Sequence, residues 1–551
     1  MTARHLILAG IVFALVVTAV ILFRRAPAGL RTESGPYTQR PAGSLTFNRD
    51  VAPIVFARCA VCHRPGEAGP FSLLEYADCR GHASQIADVV RRRIMPPWLP
   101  DSHSVTYTGQ RVLSDTEIGL ISQWAAEGAA EGHPSDLPPR PEWVAGWQLG
   151  RPDLIVEFPQ PFILPAGGGD VFRNFVIPIS VPEKKYVRAV EIRPGNQRTV
   201  HHGVLLIDST AESRRLDQAD PEPGFGGMIY GPSAHSPDGH FIGWTPGKMP
   251  FQAPADMAWE LEPGTDFVLQ LHLIPGGKPE SVDVSIGLFF SDRPPSKRPL
   301  MLRIGSLTID IPAGDADYRI REQFRLPVDV DVLSVYPHAH YLGRRMQGDI
   351  VHPDGTRQPL IRIHEWDFNW QDEYRFPTPI PVRKGASLSM EFSYDNSAEN
   401  IRNPSHPPRR VTFGPQSSDE MGDLWVQVLP RSERDREILK AVYSRKEFEV
   451  RLAGAAFEVD VRPDDFTTRY NLACMLEEIG ELDEAEVHYS HALRLNPEHA
   501  ESMNNLGVVL CKRGRFADAV PLLEETLRLR PGLEDAIHNL NLARAALSRP
   551  P

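Results

Sequence analysis

Tyr336-Pro337-His338-Ala339-His340-Tyr341 decides how the middle of this chain is read. Residues two apart on a strand face the same way, so an extended backbone here presents His338 and His340 to one point. Two further sets lie upstream, each at or beside a predicted strand: His201-His202 in Thr199-Val200-His201-His202-Gly203, and His272 in Leu269-Gln270-Leu271-His272-Leu273. An adjacent pair on a regular strand faces opposite ways, so His201 and His202 need a local twist or bulge to chelate together. A single histidine is ordinarily a surface or satisfied core residue. Three sets in one region make metal binding an equal rival of that bland reading. From Asp153 to about residue 430 the chain runs in short alternating segments broken by Pro and Gly, such as Leu154-Ile155-Val156-Glu157-Phe158 and Leu307-Thr308-Ile309-Asp310-Ile311. This texture predicts two antiparallel β-sandwiches, 151–300 and 301–430.

At 551 residues the chain is too long for one core. Its 52 prolines are nearly twice the usual ~5% share and favour turn-rich β-structure. A net charge of −12 without a long basic run excludes nucleic acid as the expected partner, and five cysteines exclude a disulfide scaffold. Leu6 to Phe23 carries no charge and is long enough to span a bilayer, so 6–23 is expected to be a membrane anchor. A cleaved signal peptide ending near Ala26-Pro27-Ala28 is the alternative. Arg24, Arg25 and Arg31 would by themselves hold the rest of the chain in the cytoplasm. Residues 24–45 read as a tether and the proline-rich 131–150 as a linker. Gly167-Gly168-Gly169 lacks the context of a phosphate loop and reads as a hairpin turn.

Beyond about residue 430 the period becomes helical, with 431–465 a connecting segment. Phe466–His499 and Ala500–Leu533 align residue for residue, pairing Leu472 with Leu506, Gly480 with Gly514, Ala485 with Ala519 and Pro497 with Pro531; Leu540 continues the series. A period of 34 with a closing proline resembles tetratricopeptide repeats, expected over 466–547. Such repeats stack on their neighbours and usually present a groove for a protein partner. Cys474 and Cys511 fall on these helices and read as buried free thiols.

Cys59-Ala60-Val61-Cys62-His63 is a C-x-x-C-H string. Two thiols three residues apart on a helix can add to both vinyl groups of one haem while the adjacent imidazole ligates iron. A redox C-x-x-C does not need the histidine, and zinc would need more soft ligands than Cys79 and His82 supply. Residues 46–130 resemble monohaem cytochrome c, an all-α domain. The capping box Ser114-Asp115-Thr116-Glu117 opens its last helix. This resemblance implies a distal ligand downstream. Met95 in Arg93-Ile94-Met95-Pro96-Pro97-Trp98 is the best candidate, with His82 and His103 as rivals. Haem attachment outside the bacterial cytoplasm overrides the charge count. The expected location is thus a single-pass inner-membrane protein with 26–551 in the periplasm.

The order His-His, His, His-x-His, followed by Ser417-Ser418-Asp419-Glu420-Met421, resembles the copper type II ascorbate-dependent monooxygenases, the family of the peptidylglycine α-hydroxylating and dopamine β-monooxygenases. The similarity spans roughly 150–430. It implies two jelly-roll domains, each carrying one copper, facing each other across a solvent-filled cleft. His201, His202 and His272 would form the electron-transfer site, and His338, His340 and Met421 the catalytic site where oxygen binds. Imidazoles hold copper in both oxidation states, and a thioether favours Cu(I). Met346 and Met390 compete for the thioether role but read as core filler. His235, His240, His352, His364 and His406 match no ligand position of the family. Two features depart from it: Gly422 follows Met421 where the family often has Cys, and Tyr336 stands where peptide-hydroxylating members carry the Arg that grips a substrate carboxylate.

The parts together imply a membrane-anchored oxidoreductase with two coppers and one haem c, using O2 to hydroxylate an activated C–H bond of a small-molecule or peptide substrate. Electrons would arrive through the haem from a periplasmic carrier, a quinol pathway or an ascorbate-like reductant. The rival reading is a copper and haem electron-transfer or assembly protein, without oxygenase activity, whose repeats dock a partner.

Overall fold

The computed structural model describes residues 36–143, 146–228, 231, 233–237 and 239–548, so the expected anchor 6–23 lies outside the described residues. Among the described residues no helix is long and apolar enough to cross a membrane. The chain divides into two compact units: one holds the residues up to Trp98 together with Arg111–Trp143, and the other holds Leu99–Gln110 and everything from Val144 onward. The first unit is therefore not the continuous 46–130 read from the sequence.

The first unit is helical. Helices Ala52–Arg58, Ala83–Arg91 and Asp115–Ala126 close around Phe47, Ile54, Val55, Ile86, Ile121 and Trp124. The predicted capping box is present: Ser114 Oγ accepts from Glu117 N at 3.2 Å, and the Glu117 carboxylate accepts from Ser114 N at 2.7 Å.

The second unit has a β-sheet-rich middle followed by helices. Its first eleven strands are β1 (Leu154–Glu157), β2 (Phe162–Leu164), β3 (Val171–Pro178), β4 (Lys185–Pro194), β5 (Val200–Asp208), β6 (Phe225–Gly226), β7 (Ile242–Trp244), β8 (Trp259–Leu261), β9 (Asp266–Leu273), β10 (Glu280–Val282) and β11 (Val284–Ser291). Sheets β1-β11-β4-β8 and β6-β3-β9-β5-β7 pack face to face through Val187, Ile192 and Leu288 of one and Phe175, Leu205 and Leu269 of the other.

Ten more strands follow: β12 (Leu300–Gly305), β13 (Asp310–Ile311), β14 (Tyr318–Arg325), β15 (Val330–Ala339), β16 (Gly343–Val351), β17 (Arg357–Ile363), β18 (Tyr374–Val382), β19 (Ser387–Tyr394), β20 (Val411–Thr412) and β21 (Gly422–Pro430). They form the sheets β12-β21-β15-β18 and β14-β19-β16-β17. Met346 and Met390 are buried in this sandwich, as core filler would be. At Gly422 a Cβ would lie 2.1 Å from Tyr394 Oη and 2.3 Å from Ile320 Cδ1, so no side chain fits there. The triglycine 167–169 is not a hairpin turn. It joins β2, which pairs with β10, to β3, which pairs with β6 and β9.

The segment Leu99–Gln110 lies along the second sandwich. Pro100 bridges Ile363, Asp101 N donates to Arg362 O at 2.8 Å, and Thr108 N donates to Arg375 O at 2.8 Å. Tyr107 anchors it, with its ring against Tyr374 and Phe376 and its hydroxyl donating to Leu360 O at 2.7 Å. This strap covers backbone of β17 and β18, the end strands of their sheets. Tyr107→Ala should cost about 3 kcal/mol, read as a shift in urea midpoint, because it leaves a cavity and an orphaned carbonyl.

A 29-residue helix, Glu433–Val461, carries the chain away from β21. Its Tyr443 hydroxyl meets Arg303 of β12 on both backbone atoms, accepting from N at 2.6 Å and donating to O at 3.2 Å. Five helices follow: Phe466–Ile479, Leu482–Leu495, Ala500–Lys512, Phe516–Leu529 and Glu534–Leu547. Their shared core contains the repeat positions Leu472, Ala485, Leu506, Ala519 and Leu540. Cys474 and Cys511 are half-buried rather than buried.

Candidate metal and haem centres

The adjacent histidines of β5 owe their shared direction to an irregularity. The register of β5 on β9 shifts between Val200 and His202, which is the bulge such a pair requires, and His202 then stands opposite His272. The three imidazoles converge through one type of atom. His201 Nδ1 lies 3.1 Å from His202 Nδ1 and 3.0 Å from His272 Nδ1. Three nitrogens at this spacing can share a cation, whereas the single Nδ1 lone pair of an imidazole accepts only one N–H, so the donor set fits copper or another nitrogen-loving ion. Burial, joined by the neighbouring imidazoles, lowers His201 to about 4 and His202 well below the usual range. All three are thus neutral near pH 7, the form that ligates. His272 stacks on Phe172 at 4.2 Å, and its Nε2 lies in ionic contact with Asp170 Oδ2 at 3.0 Å, while Nδ1 faces the other two imidazoles.

Asp208 ends the same strand. Burial works against its charge, yet hydrogen bonds from Ser213 and Thr210 hold its carboxyl well below the usual range. A depressed folded pKa stabilises above the unfolded value and is lost as pH falls. The stability advantage of the wild type over Asp208→Asn should therefore shrink between pH 5 and pH 2 in denaturation series.

The second set uses the opposite nitrogens. His338 Nδ1 meets Gln371 Oε1 at 2.5 Å and His340 Nδ1 meets the Asp419 carbonyl at 3.1 Å, so each ring is held as the Nδ1–H tautomer with Nε2 available to a metal. Their ring centroids are 5.3 Å apart. Burial lowers His340 to about 3 and also lowers His338. The register of β15 on β21 pairs His338 with Asp423 and Ala339 with Gly422, which brings Met421 to the position across from His340. Met421 is fixed at both ends: its N–H donates to Glu420 at 2.9 Å, and its carbonyl accepts from Tyr394 Oη at 2.9 Å. Glu420 is fully buried and also accepts from the N–H groups of His340 and Leu342. Burial pushes its carboxyl up to about 8 against the pull of those donors.

Phe368 joins the two sets. Its ring lies 5.5 Å from His201, 6.0 Å from His272 and 5.6 Å from His340. One aromatic side chain thus borders histidines of both sets. Tyr336 is buried; its ring stacks on Phe241 at 4.4 Å and its hydroxyl meets Gln371 Oε1 at 3.3 Å. His235 and His364 are exposed, and His352 is half-buried.

In the first unit the C-x-x-C-H string follows the helix Ala52–Arg58 instead of lying on it. Cys62 N and His63 N both donate back to Cys59 O, at 3.1 and 3.0 Å, so the string forms a tight turn. His63 Nδ1 lies 3.1 Å from the Phe71 carbonyl, which leaves Nε2 for iron. Gly69 allows this packing: a Cβ there would fall 2.9 Å from His63 Nδ1. Burial raises the Cys59 thiol to about 12, and thioether formation would remove that proton altogether. These residues fit a covalent haem. Met95 is half-buried after the helix Ala83–Arg91; His82 stacks on Phe71 at 3.9 Å; His103 falls on the strap of the second unit.

Asp170, Gln371, Phe368 and the role of Glu420 were not found from the sequence. Only Glu420 had a signal there, as a member of the string before Met421.

Comparison with known proteins reaches the C-terminal helices. A tetratricopeptide-repeat family model matches residues 464–532. Protein FlbA of Caulobacter vibrioides is 43% identical over 86 residues, 16% of this chain and 14% of that protein. The chain thus matches about a seventh of the relative's length. Among solved structures, the first repeat domain of Spaghetti (RPAP3) bound to an HSP90 peptide is similar at 17% identity and a TM-score of 0.19, over 20% of this chain and 87% of that one. A variant of the Thermobaculum terrenum O-GlcNAc transferase is similar at 25% identity and a TM-score of 0.17, over 17% and 18%. Neither a copper-monooxygenase nor a cytochrome c family matches the chain. The C-terminal helices are tetratricopeptide repeats.

Proposed function

We propose that this chain is a copper-dependent monooxygenase with a fused haem c, hydroxylating an activated C–H bond with O2. One observation carries the reading: His201 Nδ1 lies about 3 Å from both His202 Nδ1 and His272 Nδ1, beside a second histidine pair that presents Nε2. His201, His202 and His272 hold the electron-transfer copper, and His338, His340 and Met421 hold the catalytic one. Cys59, Cys62 and His63 hold haem, with Met95 as the second axial ligand. When bound, these groups supply one-electron transfer and oxygen activation. The chain itself supplies orientation and dryness. Asp170, Gln371 and the Asp419 carbonyl fix the imidazole tautomers, while Phe368 and Tyr336 keep water from the space beside the rings. A periplasmic location, with the anchor in the inner membrane, follows from the haem reading.

The test is copper and haem analysis of the purified chain combined with oxygen uptake on a panel of activated C–H substrates. Two coppers, one covalent haem and substrate-dependent uptake are expected. One copper with no uptake under any reductant overturns the enzyme reading and favours a relay or assembly role. The repeats favour a protein partner in either case.

A further inference from the structure

The two ligand sets sit on different sandwiches, yet one carboxylate oxygen touches the support of both. Asp170 Oδ2 lies 3.0 Å from His272 Nε2 and accepts from Ser417 Oγ at 3.2 Å. Ser417 belongs to the turn between β20 and β21. That turn is closed on itself: Gln416 N donates to Asp419 Oδ2 at 3.0 Å, and Asp419 N donates to Gln416 O at 2.9 Å. Its Asp419 carbonyl receives His340 Nδ1, and it runs directly into Glu420 and Met421. A continuous polar path therefore leads from His272 of the first centre to His340 of the second, with Asp170 at the crossing between the sandwiches.

We propose that Asp170 is a positioning residue shared by both metal centres, and that through Ser417 it makes copper binding at one centre strengthen binding at the other. This rests on the two-centre reading above. A metal on His272 Nδ1 obliges the ring to keep its proton on Nε2, which puts an N–H group 3.0 Å from Asp170 Oδ2. The oxygen so fixed is the one that receives the Ser417 hydroxyl, and the Ser417 turn carries the Asp419 carbonyl and Met421. Filling the first centre thus narrows the range of positions of the second centre's supports before any ion arrives there. Linkage makes the effect reciprocal, within the roughly 5–150-fold range usual for coupled sites.

Copper(I) titration of the metal-free full chain against a chromophoric chelator tests the coupling, with Cu–S scattering in X-ray absorption reporting the methionine-bearing centre. The wild type should bind two ions, the first tightening the second. Ser417→Ala keeps the Asp170–His272 contact, so the first centre should stay within about twofold, while the second weakens about 10-fold and the coupling disappears. Asp170→Ala should weaken both centres by roughly 10–100-fold. Ser417 lies at the protein surface, and an unchanged melting curve for metal-free Ser417→Ala shows that the loss is not one of folding. Two coppers bound by Ser417→Ala with wild-type affinities, or an Asp170→Ala chain weakened at the first centre alone, overturns the coupling and leaves the two-centre reading standing. A wild-type chain that binds a single copper overturns both.

Discussion

Replacing Glu420 by alanine should cost roughly 4 kcal/mol or more and abolish the copper binding proposed for His338, His340 and Met421. The carboxyl group is wholly buried and collects the backbone N–H groups of His340, Leu342 and Met421, the last two at 3.0 and 2.9 Å. Each buried N–H left without an acceptor costs about 1–3 kcal/mol, and alanine orphans all three at once. The same bonds set the second centre. One stops the turn of the chain after His338-Ala339, another holds Leu342 where β15 gives way to β16, and the third fixes the backbone of Met421. Without the carboxylate, nothing on the Glu420 side determines where the thioether lies relative to the imidazoles. Glu420→Gln separates the two effects. Its amide oxygen can still serve His340 and Met421, but its NH2 group faces the Leu342 N–H, so a smaller loss and a weakened, not abolished, second centre are expected. Urea denaturation with copper stoichiometry on both variants checks this. A Glu420→Ala chain that unfolds within 1 kcal/mol of wild type would show that the N–H groups find other acceptors.

What the sequence made legible is what depends on near neighbours. The repeats announce themselves because each helix pair packs on the next, so Leu472, Leu506 and Leu540 recur at a fixed step and share one core. The strand alternation around Leu269–Leu273 gives β9 and sets His272 on the face opposite Leu269, Leu271 and Leu273. The need for a bulge at His201-His202 is a local statement about side-chain direction, and the bulge is there. Whatever relies on distant chain is silent. Asp170 meets His272 and Ser417, residues about 100 and 247 positions away, and no spacing rule connects them. Gln371 and Phe368 lie on an irregular stretch between β17 and β18, where pattern has no period to follow. Nothing in the composition of the strap Leu99–Gln110 marks a change of unit. A cysteine spacing of three suits a helix and a tight turn alike, so the C-x-x-C-H string does not choose between them.

Phe368→Ala is the second large effect, expected at about 3–5 kcal/mol, and it tests the geometry between the centres. The ring is nearly inaccessible and packs against His201, His272, His340 and Tyr341. Its backbone is pinned independently: Asp367 Oδ1 accepts from Asn369 N at 3.0 Å, and the Phe368 carbonyl accepts from Gln371 Nε2 at 3.1 Å. Truncation should therefore leave the turn in place and remove only the ring. An apolar cavity of that size stays dry, but this one would be walled by imidazoles and a tyrosine, which supply the polar partners a trapped water needs. Water there would raise the local polarity on the inner side of both ligand sets. Copper(II) loaded into Phe368→Ala should accordingly show altered electron paramagnetic resonance parameters at both centres. Phe368→Leu keeps most of the volume and should cost about 1 kcal/mol with near wild-type spectra. The comparison is decisive because the ring touches residues of both sets. If only one centre's signal moves in the alanine variant, the ring does not govern the space between them, and the two sandwiches present their histidines independently.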